Sequence, residues 1–153
     1  MADLEGFDWV AEPASCRACP AHPDPETRLA AVRRLPVQLL PIAITDPAAE
    51  VRREVARLIG EEWLAVMAWD GDPGVRLIVA GRLRPEQLTV LAADSDARVR
   101  AAVAHRVVPS ALARLAEDGT EEVCRVARLR LGRDANGERC PTSAALKGRR
   151  TLM

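Results

Sequence analysis

Apolar and polar positions recur along this chain with a period of about 24 residues, within the range typical of repeat proteins. An aspartate marks each period and is taken here as position 1 of a repeat: Asp46, Asp70, Asp94 and Asp118. Position 6 is valine every time, at Val51, Val75, Val99 and Val123. Positions 10 and 14 are apolar in all four registers, and the three complete repeats have leucine at position 19 and leucine or methionine at position 22. Agreement at this many positions indicates an internal structural repeat.

The first half of each repeat has the spacing of an amphipathic helix. Apolar residues at positions 6, 10 and 14 are four apart, and alanine at position 11 widens the same stripe in the complete repeats. The position-1 aspartate is a natural cap, and Asp72 and Asp96 add acceptors near the first turn. Pro73 stands where a first-turn proline costs nothing. We therefore predict one α-helix in this half.

The second half of each repeat predicts a shorter helix that starts at position 16, where Pro85 and Pro109 stand. The apolar residues at positions 19 and 22 are three apart, a spacing that fits a 3₁₀ helix. One helix and one short helix cannot enclose a core alone, but stacked copies can. The pattern thus predicts an all-α solenoid in which α-helices alternate with short, 3₁₀-like helices.

Three regions follow from the pattern: an N-terminal cysteine-containing cap at 1–23, about five helical repeats at 24–133, and a C-terminal tail at 134–153. The first repeat is degenerate, and its register is expected to slip by a residue or so upstream of Pro36. The fifth repeat keeps Val123, Ala127 and Leu131 and then reaches Gly132, which should end the last helix. Atypical terminal repeats are typical of stacked arrays.

The chain from about residue 24 to 133 resembles the leucine-rich repeat variant family, a relative of the HEAT-like repeats. The repeat pattern that carries the resemblance is D-x-D-x-x-V-R-x-x-V-A-x-R-L-x-P-x-x-L-x-x-L-A. The resemblance implies a right-handed superhelix of alternating α- and 3₁₀ helices. Some members carry a cysteine-rich iron–sulfur module ahead of the repeats, and Cys16-Arg17-Ala18-Cys19-Pro20 is similar to part of it.

The four cysteines are the candidate ligands of a metal or cluster. Cys16 and Cys19 form C-x-x-C, a spacing by which one loop gives two thiolates to one site. Proline follows Cys19 and Cys140, and Cys124 occupies position 7, where every complete repeat has arginine. We expect a [4Fe-4S] cluster on these four residues as one alternative, and zinc as another, since His22 extends the motif to Cys-x-x-Cys-x-x-His.

The length of the array limits how these cysteines can meet. Cys19 precedes the first repeat and Cys124 lies in the last, so stacked layers would separate them by roughly 30–40 Å. The segment from Asp134 to Cys140 reaches at most about 25 Å. A site shared between the N-terminal end of one molecule and the C-terminal end of another is therefore easier to form, and it would entail self-association.

Composition removes several function classes. Lys plus Arg and Asp plus Glu are both 22, so the balanced charge gives no global attraction for nucleic acid or an anionic membrane. No run of 18 apolar residues predicts a membrane span, and the acidic start of the chain lacks a signal core. We expect a cytoplasmic protein, in which cysteines are thiols or metal ligands more often than disulfides. No nucleophile–base pair, phosphate-binding loop or zinc-protease motif predicts an enzyme.

The remaining candidates are partner-binding residues. Arginine recurs at position 7 as Arg52, Arg76 and Arg100, and it either grips an acidic partner or phosphates, or pairs within the chain with position-1 aspartates. The structural alternative is favoured, because charge is balanced and the aspartates match the arginines in spacing. Trp63 and Trp69 occur outside the repeated apolar positions and are candidate anchors for a protein partner. The sequence thus favours a non-enzymatic protein-binding scaffold over an iron–sulfur electron-transfer or redox-sensing protein, with nucleic-acid binding third.

Overall fold

The structure, a computed structural model, describes residues 22–132. All regular elements in this range are helices, and no strand occurs there. The α-helices, in chain order, are α1 Pro25–Val32, α2 Ala49–Leu58, α3 Glu61–Met67, α4 Pro73–Arg82, α5 Ala97–Arg106, α6 Pro109–Leu115 and α7 Glu121–Arg130. Two 3₁₀ helices span Val37–Ala43 and Gln87–Leu91. The predicted all-α repeat fold is confirmed.

The first helix of each repeat has the predicted place and orientation. Helices α2, α4, α5 and α7 have the same length, and each starts at position 4 of its repeat. The four valines at position 6 are completely buried: Val51, Val75, Val99 and Val123. Positions 10 and 11 are buried beside them in the three complete repeats. The α-helical spacing therefore places one apolar stripe against the interior, where each fully buried side chain contributes about 1.5–3 kcal/mol.

The capping of these helices differs from the prediction. The residue at position 3, and not the position-1 aspartate, is the N-cap: the Asp72 carboxylate accepts from the N–H of Val75, and the Asp96 carboxylate from that of Arg98. The position-1 aspartate acts one step earlier, since the carboxylate of Asp70 accepts from the N–H of Asp72 itself. Two acidic residues thus fix the turn that enters α4, and Pro73 occupies the first turn as predicted.

The second helices are of two kinds, which corrects the expectation of a 3₁₀-like helix in every repeat. Val37–Ala43 and Gln87–Leu91 are 3₁₀, whereas α3 and α6 are short α-helices. At position 20 the second 3₁₀ helix has Thr89, whose branched side chain disfavours the α-helix, whereas α3 and α6 have alanine there, Ala65 and Ala113. In α3, α6 and the second 3₁₀ helix, the residues at positions 19 and 22 are all buried. The packing of the second helix is therefore the same although the helix type differs.

The register of the first repeat does not slip. Helix α1 begins at Pro25, one full repeat before the start of α2, and Arg28 takes position 7. Helix α1 ends earlier than its counterparts, because Arg33 and Arg34 lie in a turn ahead of Pro36. Early termination before proline, and not an insertion, makes this repeat irregular.

The chain divides between Trp63 and Leu64 into two compact units. In the first, α2 packs against α1 and the first 3₁₀ helix. In the second, α5 contacts α4, the second 3₁₀ helix, α6 and α7, and α6 packs against α7. Helix α7 is terminated by Gly132, two residues after its last helical residue, as the sequence predicts. The φ of Gly132 is 67°, the left-handed conformation that glycine adopts readily. Among residues 22–132, no helix is long and apolar enough to cross a membrane.

Candidate interaction surfaces

In the second compact unit, the arginines at position 7 pair with the aspartates at position 1 of the following repeat. Nε of Arg76 donates to Oδ2 of Asp94 at 2.7 Å and Nη2 donates to Oδ1 at 2.9 Å. Nη1 of the same arginine donates to the backbone oxygens of Asp70 at 2.7 Å and Gly71 at 3.3 Å. Asp94 also accepts from the N–H of Asp96 at 2.8 Å. The guanidinium therefore joins the entry loops of two repeats.

Arg100 repeats this arrangement in the following repeat. Its Nε and Nη2 atoms donate to the carboxylate of Asp118 at 2.6 and 3.1 Å, and Nη1 donates to the backbone oxygen of Asp94 at 2.7 Å. The Asp118 carboxylate accepts from the N–H of Thr120 as well. Both arginine side chains are mostly buried, with 12% of Arg76 and 17% of Arg100 exposed. We call these contacts the arginine–aspartate ladder.

The first compact unit contains an arginine–aspartate pair of the same kind, which the sequence analysis missed. Arg28 donates from Nε and Nη2 to the carboxylate of Asp46 at 2.7 and 2.9 Å, and only 7% of its side chain is exposed. Arg52 donates from Nη1 to the backbone oxygen of Asp46 at 2.7 Å. The sequence could have revealed this pair, since Arg28 lies one full repeat before Arg52. The register slip expected in the first repeat concealed the equivalence of the two arginines.

The ladder holds its aspartates ionised. Burial raises the pKa of the Asp94 carboxyl, but hydrogen bonds from Arg76 and from the N–H of Asp96 outweigh it, so the pKa lies below its usual value. The same balance of burial against the arginine and a backbone N–H lowers the pKa of Asp46 and of Asp118. The arginine–carboxylate geometry is bidentate, which strengthens each pair. These contacts match the structural alternative for Arg76 and Arg100, in which each guanidinium pairs with a position-1 aspartate.

The two tryptophans proposed as partner anchors are both accessible. In the second compact unit, 76% of Trp69 is exposed, and so is more than half of Val66, which precedes it on the same turn. Val90 occupies position 21, as Val66 does, and it is 47% exposed. We call Val66, Trp69 and Val90 the apolar row. In the first compact unit, Trp63 is 40% exposed.

The repeat pattern contains a second arginine, at position 13, which the sequence analysis did not consider as a candidate site residue. Arg82, Arg106 and Arg130 occupy position 13, at the ends of α4, α5 and α7. Nη1 of Arg106 donates to the backbone oxygen of Ala80 at 2.7 Å. The spacing of 24 residues could have identified these arginines as candidate site residues. Each is followed at position 14 by an apolar residue, which indicates a buried helix face instead. Arginine at a helix C-terminus interacts favourably with the partial negative charge there.

Cys124 and His22 are the two candidate metal ligands among the described residues, and Nδ1 of His22 accepts from the N–H of Asp24 at 3.1 Å. Cys124 is completely buried, its Sγ lies 3.1 Å from the backbone oxygen of Ala116, and it is disulfide-bonded. Cys16, Cys19 and Cys140 lie outside residues 22–132. Within that range, no group of three or more histidine, cysteine, aspartate or glutamate side chains is arranged to hold a metal ion.

Comparison with known proteins identifies a structural neighbour. A solved structure described as a leucine-rich repeat variant with a novel repetitive protein structural motif is similar to this chain, with a TM-score of 0.70 and 31% sequence identity. The match covers 76% of this chain and 54% of that one, so this chain spans about half the length of its neighbour. No family model and no curated protein matches the chain.

Proposed function

This chain has the leucine-rich repeat variant fold, and on that premise we propose that it is a non-enzymatic scaffold that binds another protein. Stacked helical repeats present extended surfaces to partners, and their interiors are filled by packing residues. The fold by itself names neither partner nor process. The proposal therefore rests on the surface residues of the described range.

The exposure of Trp69 carries the proposal. Tryptophan is highly buried on average, yet three quarters of this side chain meets solvent. The equivalent position holds Thr45, Ala93 or Glu117 in the other repeats, so neither the period nor the core requires tryptophan there. Aromatic residues that are free of a packing role and flanked by apolar neighbours are typical of interface anchors.

The first helices have a different surface, and this contrast favours the apolar row as the binding site. Their solvent-facing positions in the second compact unit include Arg98, His105, Glu122 and Arg125. A charged, mixed surface of this kind keeps a protein soluble. Interface cores are instead depleted of charge and enriched in aromatic residues. Val66 and Val90, at equivalent positions of successive repeats, add two exposed apolar side chains in the same compact unit as Trp69.

Truncating the anchor tests this function. We expect Trp69→Ala to remove at least about 2 kcal/mol of partner affinity while the fold is kept, because the side chain is exposed. The measurement is quantitative mass spectrometry of proteins retained by the tagged full chain from a cell extract, with unfolding curves recorded for each variant. Trp63→Ala is measured in parallel to rank the two tryptophans.

Leu129→Ala is the matched control, since this side chain is 55% exposed and lies on α7 outside the apolar row. It should retain the same proteins as the unaltered chain. If Trp69→Ala and Leu129→Ala retain the same amounts of the same proteins, the apolar row is not the binding site. If the unaltered chain specifically retains no protein, the scaffold function itself is contradicted.

A second candidate function, iron–sulfur electron transfer or redox sensing, is favoured by the position of Cys124. A cysteine replaces the ladder arginine at this position, and it would have to lose its disulfide before it could serve as a ligand thiolate. A bound cluster would supply one-electron chemistry, and zinc at the same residues would supply none. Cys124 and the cysteines at 16, 19 and 140 would be the ligands.

Anaerobic purification under reducing conditions tests this candidate. We expect a brown protein with iron and sulfide bound, and loss of both in Cys16→Ser and in Cys124→Ser. Val108→Ser controls for introducing a serine elsewhere in the last repeats. A colourless protein without iron under these conditions would rule out the cluster, and stoichiometric zinc would support the zinc alternative.

A further inference from the structure

The two ends of the first helices in the second compact unit carry opposite charge. Acidic residues lie at their N-terminal ends, as Asp72, Asp96 and Glu121 do. The C-terminal side carries arginines at positions 13 and 15, namely Arg82, Arg84, Arg106 and Arg130. We call the last two, Arg106 and Arg130, the basic edge. Complementarity to the helix dipoles explains this separation, but it leaves a line of cations on one side of a unit whose interior is apolar.

Arg106 and Arg130 are held in place by the backbone of the preceding repeat. Nη1 of Arg106 donates to the backbone oxygen of Ala80, in α4, at 2.7 Å. Nη1 of Arg130 donates to the backbone oxygens of Ala104 at 3.0 Å and Val107 at 2.7 Å. One nitrogen of each guanidinium therefore satisfies carbonyl groups near the end of the neighbouring helix. The side chains are ordered before any partner arrives, which lowers the entropy lost on binding.

The other nitrogens of these two arginines remain available. Among residues 22–132, nothing accepts a hydrogen bond from Nε or Nη2 of Arg106 or of Arg130. Arg130 is exposed and Arg106 is partly exposed, so both reach solvent. In the ladder these same two atoms, Nε and Nη2, bind a carboxylate in Arg76 and Arg100. The free fork on the basic edge has the geometry that recognises a carboxylate.

We propose that the basic edge binds an acidic peptide segment with carboxylates at every third residue. Equivalent residues on stacked helices lie about 8–10 Å apart. A polyproline II segment has three residues per turn and rises about 3.1 Å per residue, so its every-third side chains lie on one side about 9 Å apart. Two successive acidic side chains of such a segment therefore match Arg106 and Arg130, which occupy position 13 of successive repeats. A β-strand matches poorly, because its like-facing side chains are about 6.7 Å apart.

The observations favour a peptide over a nucleic acid as the occupant. Each strand of a duplex carries one charge per about 3.4 Å of helix axis, a denser series than one arginine per repeat. Binding to single strands also relies on aromatic platforms, and the position-12 residues beside the arginines are Gly81, His105 and Leu129. The acidic residues at the other end of the same helices would repel a long polyanion that wraps around the unit.

This surface goes beyond the proposed function, since it is separate from the apolar row and names a different partner chemistry. The experiment measures fluorescence anisotropy of labelled peptides with the full chain at low salt. The probe has repeating Glu-Pro-Pro triplets. Two comparison peptides replace glutamate by glutamine, or place the same number of glutamates in one block. A single-stranded oligothymidylate of equal charge is the fourth ligand.

We expect the Glu-Pro-Pro peptide to bind, the glutamine peptide not to bind, and the block peptide to bind more weakly than the triplet peptide. Arg106→Gln with Arg130→Gln should weaken triplet binding roughly tenfold or more, because two charge-assisted pairs are lost. Arg98→Gln with Arg125→Gln is the matched control, since it removes the same charge from exposed positions nearer the helix N-termini. It should change the affinity less than threefold in the same assay, and Trp69→Ala should leave the affinity unchanged.

Several results would overturn the proposal: absence of triplet binding, equal affinity for triplet and block peptides, equal loss in the control pair, or tighter binding of the oligonucleotide. The peptide series uses the unaltered protein, so its outcome stands even where a variant fails to fold. Loss of triplet binding in Trp69→Ala would contradict the separation of the two surfaces.

Discussion

At the residue scale, the position-1 aspartate links one repeat to the next. The Asp94 carboxylate accepts from Arg76 of the preceding repeat and from the N–H of Asp96, and its backbone oxygen accepts from Arg100. Removing two charges from water is costly, and close pairing with additional hydrogen bonds is needed to offset that cost. The ladder meets this condition through bidentate pairing at Arg28, Arg76 and Arg100.

Replacing only one partner of an arginine–aspartate pair should lower the free energy of unfolding far more than replacing both partners. We expect Arg76→Met to lower the free energy of unfolding by about 3–5 kcal/mol, because it leaves the Asp94 carboxylate buried without its cation. Arg76→Met with Asp94→Leu should cost less than either single change, since no charge is left unpaired. Urea unfolding of the three variants measures this cycle. The exposed pair of Arg98 with Asp96 gives the control, and Arg98→Gln should cost much less than Arg76→Met. Additive losses in the cycle would contradict the coupling.

The ladder also predicts how stability depends on pH. Ladder aspartates have a lowered pKa in the folded chain, and hydrogen bonds from the side chain and the backbone N–H of Arg98 lower the pKa of Asp96 to about 2. The unfolded state takes up protons first as pH falls, so this stability is complete above about pH 5 and is lost progressively below about pH 4. Unfolding measured from pH 7 to pH 2 should show that fall, with a shallower slope in Asp94→Asn. A slope that Asp94→Asn does not change would mean that other groups cause it.

At the element scale, the sequence predicted the positions of the helices more accurately than their type, α or 3₁₀. Four-residue spacing at Val75, Val79 and Leu83 defined the buried stripe of α4, because burial follows side-chain period directly. Three-residue spacing at Leu88 and Leu91 fits a 3₁₀ helix, but the same spacing occurs in α6, an α-helix. In helices this short, the difference depends on local side-chain branching and on neighbours, and a period cannot resolve it.

Gly81 inside α4 and Gly132 just beyond the end of α7 allow a matched test of glycine conformation. Gly81 lies inside α4, and a Cβ there would meet nothing within 4 Å, so Gly81→Ala should stabilise the chain by about 0.5–1 kcal/mol. Gly132 ends α7 in the left-handed conformation, so Gly132→Ala should be destabilising although it too has open space. Thermal unfolding gives both signs. Stabilisation by both substitutions would show that the end of α7 does not need the left-handed conformation.

At the scale of the whole molecule, a balanced composition conceals separated charge. Equal numbers of acidic and basic residues give no overall attraction, but they could not reveal that arginines of the second compact unit lie at the ends of its first helices. Exposure of Trp69 was predicted because it departs from the repeat. Free donors on Arg106 and Arg130 could not be predicted, since they depend on which carbonyl each side chain reaches. The repeat therefore specifies the interior, and departures from it mark the surface.

The central claim is that each repeat is stable only through its neighbours, and hydrogen exchange after one core truncation tests it most directly. Leu112 is completely buried in α6, which contacts α5 and α7. We expect Leu112→Ala to cost about 2–5 kcal/mol and to accelerate amide exchange in α5 and α7 as well as in α6. Leu129→Ala, the same change at an exposed site, should accelerate none of them. Faster exchange confined to α6, or an equal effect of the two substitutions, would contradict the account.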